Sequence, residues 1–478
     1  MSQDESESSV GITWKFRQVE LGRILSAYRK LRGEDRRLAE SRMLSWLDAH
    51  KAEAGWDELR RIAPAGKLAK LESPGLADEI LTLPNIEPLT CAYEIPELLL
   101  GSLLSKPQRH VYVAHRPEVD FERIDKKIGC YCGEETRYSI PPTRLSDAEN
   151  IAIVYHELEA GGHSLSHNHP GDEILYVDEG LVEVRMEDTG LWVRLDKGSF
   201  IHFEAGQLHS AWNCSDKTAK MFIIRYLQLS SGTRLDVLRE VASLKPSKRL
   251  IKTILEDIRC SVWTPLEQQE YLQPDQVCDR RGLGRFLELL CSERFLGDGH
   301  GGLTYNDLHE RSETKQYDYS RSKLARLHYG EAPVKKEQLL ELADIYRVAP
   351  ILFYNFLFPA FRYAIAVQDK DEKGMRLIPR EFGSSDGVVY KVPHRRLAYS
   401  DIAIATATLS PRESTPENRH PGYELLKPLE GEVAVKFGTT GHPPITRGEY
   451  ALFCSDSRHR VCNFGEAPAR VLIIRFLE

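Results

Sequence analysis

The residues of this chain with the most chemistry to offer are His167-Asn168-His169, Glu173 and His209. Side chains of an extended strand alternate faces, so His167 and His169 point to one side. Pro170-Gly171 then turns the chain, and Glu173 can face the same interior from the next strand. A second turn, Glu204-Ala205-Gly206, precedes His209 and can bring one more imidazole to that point. Three imidazoles and one carboxylate make a borderline nitrogen and oxygen donor set, suited to iron, manganese, nickel, copper or zinc. The alternative is a β-barrel whose polar interior binds an organic ligand without metal.

The glycines are spaced as regularly as the ligands. Gly161 stands five residues before His167, and Gly180 six residues after Glu173. Gly198, Glu204, Gly206, His209 and Asn213 follow at fixed intervals. This stretch resembles both sequence motifs of the cupin superfamily, departing only at Glu204, where the family usually has proline. The resemblance implies a double-stranded antiparallel β-barrel with a metal held by His167, His169, Glu173 and His209.

The 478 residues suggest two to four domains. A hydrophobic share of 41% and a charged share of 28% are ordinary for a soluble globular protein. The net charge of -7 gives no global basic signature for nucleic acid. Nine scattered cysteines form no disulfide framework, and the one close pair, Cys130 and Cys132, has no second pair to complete a zinc site. There is neither a signal peptide pattern nor an apolar run of the ~20 residues a membrane helix needs, so a cytoplasmic protein is expected.

Texture along the chain alternates. Residues 1–10 are polar and acidic and read as a disordered tail. Residues 11–105 carry helical apolar spacing, 106–230 β-branched alternation with glycine turns, 231–361 helical spacing again, and 362–478 strands. Matching segments recur at near-constant distance. Tyr138-Ser-Ile-Pro141 answers Tyr390-Lys-Val-Pro393, His169-Pro-Gly-Asp-Glu173 answers His420-Pro-Gly-Tyr-Glu424, and Met221-Phe-Ile-Ile-Arg225 answers Val471-Leu-Ile-Ile-Arg475, at offsets of 252, 251 and 250. The expected fold class is therefore α+β: two tandem repeats, each an all-α helix-turn-helix-like domain followed by an antiparallel cupin barrel.

The second barrel inherits a candidate site. Asn418 replaces the first histidine, while His420, Glu424 and His459 keep their places. Two histidines and one carboxylate match the facial triad of non-haem iron(II) enzymes, and the same residues can equally be the remnant of a decaying site. In the helical segments, Ser320 to Gly330 followed by Leu339 to Val348 resembles the later helices of a Cro/repressor-type helix-turn-helix. That resemblance would place Arg321 and Lys323 against DNA. The connection from Glu313 to Tyr319 is longer than the tight turn of a working motif, and its counterpart before Gly66 is shorter. Gly297 to Gly302 reads as a loop, and Ile351 to Phe358 as a buried helix joining the helical segment to the barrel.

Alternating helix-turn-helix-like and cupin units resemble two groups. One is the Cro-type regulators with ligand-sensing cupins. The other is the phosphonate oxygenases: hydroxypropylphosphonate epoxidase, hydroxyethylphosphonate dioxygenase and methylphosphonate synthase. The iron triad of the epoxidase, His-x-x-x-Glu with a later His, maps onto His169, Glu173 and His209, or onto His420, Glu424 and His459. The first expectation is a metal-dependent bicupin, with iron(II) ahead of zinc, manganese, nickel or copper, doing oxygenase-type chemistry on a small polar or anionic substrate. A transcriptional regulator with paired DNA-reading heads is the second, and an isomerase or metal-storage protein the third. Arg144 and Arg396 hold equivalent repeat positions and are candidates to pair with an anionic ligand under either view. No membrane partner is expected, and homo-oligomers are compatible with the sequence.

Overall fold

The structure is a computed structural model; it describes chiefly residues 112–124, 136–145, 150–167, 171–186, 191–203, 207–226, 280–291, 303–332, 334–354, 375–393 and 401–477, with shorter pieces elsewhere. Residues 1–10, Cys130, Cys132, His169 and the Gly297–Gly302 segment lie outside the described residues.

Before the barrels come β1 (Trp14–Arg17), α1 (Arg36–Ala49) and β2 (Ile80–Leu83). The antiparallel pairing of β1 with β2 corrects the all-helical expectation for 11–105. Trp14-Lys15-Phe16-Arg17 alternates apolar and polar, the period of a strand and not of a helix.

The first half continues with β3 (Lys106–Gln108), β4 (Tyr112–His115), α2 (Pro117–Asp120), β5 (Glu122–Ile124), β6 (Thr136–Ile140), β7 (Thr143–Leu145) and β8 (Ile151–Leu158). Then come β9 (Asp172–Glu179), β10 (Leu181–Met186), β11 (Leu191–Asp196), β12 (Phe200–Phe203), β13 (His209–Asn213) and β14 (Ala219–Tyr226). Five helices follow in the described part of the middle: α3 (Arg280–Cys291), α4 (Tyr305–Thr314), α5 (Arg321–His328), α6 (Lys336–Tyr346) and the short α7 (Ile351–Tyr354). The second half has β15 (Ala360–Phe361), β16 (Ala364–Val367), β17 (Met375–Leu377), β18 (Val388–Pro393), β19 (Arg396–Leu397) and β20 (Ile402–Leu409). It ends with β21 (Tyr423–Glu430), β22 (Glu432–Phe437), β23 (Thr440–Gly441), β24 (Ile445–Thr446), β25 (Tyr450–Cys454), β26 (His459–Cys462) and β27 (Ala469–Phe476).

Two seven-stranded sheets carry the architecture, in the orders β16-β12-β9-β14-β8-β6-β5 and β17-β18-β20-β27-β21-β25-β4. Read from opposite ends, the two orders are the same strand for strand under the repeat. Each sheet takes one edge strand from the other half: β16 pairs with β12, and β4 pairs with β25. The barrels are thus not the contiguous segments 106–230 and 362–478 expected from texture. A four-residue strand such as Tyr112–His115 reads identically whichever sheet it joins, because its partner is chosen by tertiary packing.

Residues that alternate along the strands divide the core in two. Val154, Leu175, Val184 and Ile223 fill barrel 1, while Ile153, Tyr155, Ile174, Phe222, Leu425, Tyr450 and Ile474 pack between the two sheets. Each large apolar side chain buried in that seam contributes about 1.5–3 kcal/mol. A third cluster runs from the helices, through Leu324, Leu342 and Phe353, into barrel 2 through Val435 and Ile473. Within the Ile351–Phe358 segment, Ile351–Tyr354 is α-helical and packs with Phe356 into the cluster that joins helices to barrel 2. Turns match the motif glycines: Gly180 has φ +86 and a Cβ there would lie 2.9 Å from Ala219 Cα, and Gly431 (φ +69) faces Ala469 in the same way.

The connection from α4 to α5 is long, as the sequence indicates, and it is built. Tyr319 is buried and its hydroxyl donates to Glu341 Oε2 at 2.7 Å, while His309 Nδ1 donates to the Tyr319 carbonyl at 2.9 Å. Lys323, a residue of the DNA-reading alternative, donates to the Asp318 carbonyl at 2.6 Å and lies 4.5 Å over the Tyr319 ring. Arg321 is exposed.

One ion pair crosses the apolar seam. Lys427 on β21 is 2% exposed, sits over the rings of Phe222 and Tyr176, and reaches Asp178 Oδ1 on β9 at 3.0 Å. Burial raises the Asp178 carboxyl pKa even though Lys427 opposes it. Removing one partner of a buried pair strands the other. Lys427→Met should therefore lower stability by about 3 kcal/mol, and adding Asp178→Leu should restore most of the loss, as read by urea unfolding of the full chain. A single variant as stable as the parent would show that the pair does not hold the seam.

Candidate metal centres

Glu173 is the second residue of β9, and Arg225 lies near the end of β14, directly opposite it in the antiparallel register. Their side chains therefore project to the same face, into barrel 1, as do Val154, Met221 and Ile223. His209 opens β13, and a single antiparallel bridge joins it to His167. One ligand atom from each of His167, Glu173 and His209 lies within 4.8 Å of the others. Barrel 2 repeats the arrangement with His420, Glu424 and His459, again within 4.8 Å, and with Arg475 opposite Glu424.

Backbone carbonyls bias the tautomers. His167 Nδ1 donates to the Leu165 carbonyl at 2.9 Å, His209 Nδ1 to Gln207 at 2.8 Å, His420 Nδ1 to Pro421 at 3.1 Å and His459 Nδ1 to Ser457 at 2.9 Å. A carbonyl only accepts, so each of these contacts favours the tautomer with the proton on Nδ1 and the lone pair on Nε2. In barrel 2, His420 Nε2 lies 2.9 Å and His459 Nε2 3.7 Å from Glu424 Oε2. Burial pulls the His420 pKa down to about 4, against the pull of Glu424, so its ring is neutral at pH 7. Burial would raise the Glu424 carboxyl, but Arg475 and the two imidazoles outweigh it and hold the group well below the usual range. Imidazole nitrogens and a carboxylate that converge on one point can hold a cation between them. The donor set fits a divalent metal, and backbone carbonyls on the outer imidazole nitrogens are the usual support of such a site.

Two arginines belong to these sites that spacing alone does not reveal. Arg225 Nε donates to Glu173 Oε2 at 2.5 Å, leaving Glu173 Oε1 toward His209 Nε2 at 3.4 Å, and Arg225 Nη2 donates to His167 Nε2 at 3.3 Å. In barrel 2, Arg475 Nε donates to Glu424 Oε2 at 2.8 Å. The signal lies in Met221-Phe-Ile-Ile-Arg225 and Val471-Leu-Ile-Ile-Arg475: a charge closing an apolar strand is a buried charge, and it needs a partner. His156, on the barrel 1 face of β8, is a further addition. It is 1% exposed, stacks on Tyr138 at 4.2 Å, and burial with Arg225 nearby lowers its pKa to about 3.

Other candidates fall elsewhere. Asn418 bridges to His459, yet its Oδ1 accepts from the Arg419 backbone N–H at 2.8 Å. Arg144 and Arg396 lie on β7 and β19, in equivalent parallel pairings with β3 and β15. The motif asparagines are structural: Asn213 Nδ2 donates to the carbonyls of Leu158, Glu159 and Lys217, and Asn463 Nδ2 to those of Leu409, Ser410 and Ala467.

A cavity of about 1070 Å³ lies between the helices and barrel 2, with Tyr390 and Asn418 on its barrel side. Arg311, Lys315 and Arg347 reach it from the helices. Arg347 caps α6 in the left-handed region (φ 58) and makes no ion pair among the described residues. Burial and the neighbouring Arg347 lower the Arg311 pKa.

Residues 154–225 match the family model of the cupin domain. No curated protein matches the sequence. Among solved structures, Streptomyces albus HEPD with 2-hydroxyethylphosphonate and Fe(II) bound is 13% identical over 96% of this chain and 92% of that one, with a TM-score of 0.39. A mutant of Bacillus subtilis oxalate decarboxylase OxdC is 13% identical over 76% and 77%, with a TM-score of 0.37. A putative glyoxylate-induced protein from Pseudomonas aeruginosa is 10% identical over 76% and 88%, with a TM-score of 0.40. Among the described residues no helix is long and apolar enough to cross a membrane.

Elemental analysis of protein purified without chelators should find up to two divalent ions per chain. Glu173→Ala and Glu424→Ala should each remove one, and the double variant both, since losing a direct ligand exceeds the ~10–100-fold effect of an outer partner. Metal content unchanged in all three variants would rule out both centres.

Proposed function

We propose that the chain is a metal-dependent bicupin enzyme of the oxygenase type. Each barrel holds a divalent ion, iron(II) in first place, and the substrate is a small anion. The observation that carries this reading is the convergence of two imidazole nitrogens and a carboxylate on one point in each barrel. Charge supports the substrate class. The guanidinium and the carboxylate of each site cancel, so a divalent ion leaves a formal charge of about +2 in a low-dielectric interior, which favours an anionic ligand.

When bound, iron(II) supplies the redox capacity toward dioxygen that no side chain has. The residues of the chain do the rest. Arg475 holds Glu424, and Arg225 holds Glu173, so each carboxylate keeps one orientation. In the cavity above barrel 2, Arg311 and Arg347 receive the anionic end of the substrate while Tyr390 and Asn418 border the metal side. This wall comes from the helices, so they serve as part of a substrate chamber. The six residues from Lys315 to Ser320 between α4 and α5 and the engagement of Lys323 argue against their use as a DNA reader.

Anaerobic loading with iron(II), followed by oxygen-electrode assays against small carboxylates and phosphonates, should find substrate-dependent oxygen uptake that Glu424→Ala abolishes. Arg311→Ala and Arg347→Ala should each raise KM by about tenfold or more with kcat changed less, because a charge-assisted bond contributes about 1.5–3 kcal/mol. Sequencing of DNA retained on the protein should show no enriched motif. One palindromic motif bound at about 10 nM or tighter would replace the enzyme reading by the regulator.

A further inference from the structure

Among the described residues, Arg225 Nη1 and His156 Nε2 inside barrel 1 lack any hydrogen-bond partner. Both residues are 1% exposed. Both face the barrel interior, since β8 and β14 pair with His156 opposite Met221 and Arg225 opposite Ala152. The two other ends of the guanidinium are already used, on Glu173 Oε2 and His167 Nε2. Its third nitrogen is therefore directed away from the metal ligands, into the same barrel interior as the His156 edge.

A buried donor left unmade costs about 1–3 kcal/mol, and more when charged. Two such atoms on one interior face mark a missing occupant. Barrel 2 differs at this position. Ala407, which pairs with Val471 as His156 pairs with Met221, stands in the place of the imidazole. Tyr390 occupies the position of Tyr138 on the neighbouring strand of barrel 2, so the stacking partner is kept and the imidazole is not. The two barrels have thus diverged in what they accept beside the metal.

We infer that Arg225 and His156 form a binding subsite in barrel 1 for one small oxyanion, a carboxylate or phosphate group. Arg225 Nη1 donates one bond to it, and His156 in its Nε2-protonated tautomer donates the other. The formal charge argument rests on the metal reading; the two partnerless donors do not. Barrel 1 then holds its own small ligand, separate from the cavity that serves barrel 2.

The test uses the full chain, with metal content measured first and calorimetric titration with formate, acetate and inorganic phosphate after it. The parent should bind one equivalent of at least one of these, and the preferred anion separates a carboxylate source from a phosphate source. His156→Leu should bind it at least tenfold more weakly, with metal content unchanged and a melting temperature no lower, because an unsatisfied polar atom is removed. His156→Gln, which keeps an N–H donor, should recover part of the affinity and serves if the leucine variant fails to fold. The same titrations on Arg311→Ala, which weakens the cavity of barrel 2, should still show the equivalent that depends on His156. No binding of any of the three anions by the parent would mean that the two atoms hold an ordered water only, and would overturn the subsite. Equal binding by His156→Leu would overturn it too, by placing the anion elsewhere. Anion binding with the same His156 dependence in a chain that takes up no metal would uphold the subsite and refute the metal reading.

Discussion

A carboxylate in the middle of an apolar barrel is the demand to which the rest of each site responds. Glu173 and Glu424 are each 1% exposed. An isolated ionised carboxylate there would be protonated or would unfold the barrel. The answer is the same in both halves: an arginine from the adjacent strand, opposite in register, and imidazoles whose outer nitrogens are pinned to the backbone. Buried ion pairs of this kind are weak contributors to stability when compared with apolar replacements. Their retention in both copies argues for chemistry and not for folding.

The candidate ligands could be picked out because residue type and spacing are local properties. His167, Glu173 and His209 offer atoms within 4.8 Å of one another, while His169, the other half of the His-x-His step, lies outside the described residues. The arginines could not be read so directly. Arg225 and Arg475 appear as the last matching letters of a repeated strand, and only the pairing of that strand with the glutamate strand makes them part of a site. His156 lies in an apolar run with no companion at ligand spacing, so nothing local distinguishes it from a core histidine.

Domain limits were the least legible feature, for the same reason. Composition marks where helical spacing gives way to alternation, and the described helices between Arg280 and Tyr354 lie inside the stretch of helical spacing. It does not say which sheet a strand will join. β4 and β16 correspond under the repeat, and each completes the sheet of the other half. Edge pairing of this kind is decided by the apolar seam, where Val113 and Val367 are both buried among residues from the two halves.

Exchange of strands also explains how two copies of one unit can diverge without separating. Tyr112 comes from the first half but stacks on His442 at 4.0 Å and lies near Phe453, which in turn packs against His459 at 5.1 Å. Its repeat equivalent in the sheet of barrel 1 is Ala364, opposite Phe203. Barrel 2 therefore receives an aromatic wall from the other half that barrel 1 lacks, while barrel 1 keeps His156 and His167 where barrel 2 has Ala407 and Asn418. Had each half folded on its own strands, a change at Tyr112 would have altered barrel 1 alone. With strands exchanged, one half helps to shape the surroundings of the candidate metal ligands in the other. The two halves are consequently constrained to remain one protein, even as their sites come to hold different things.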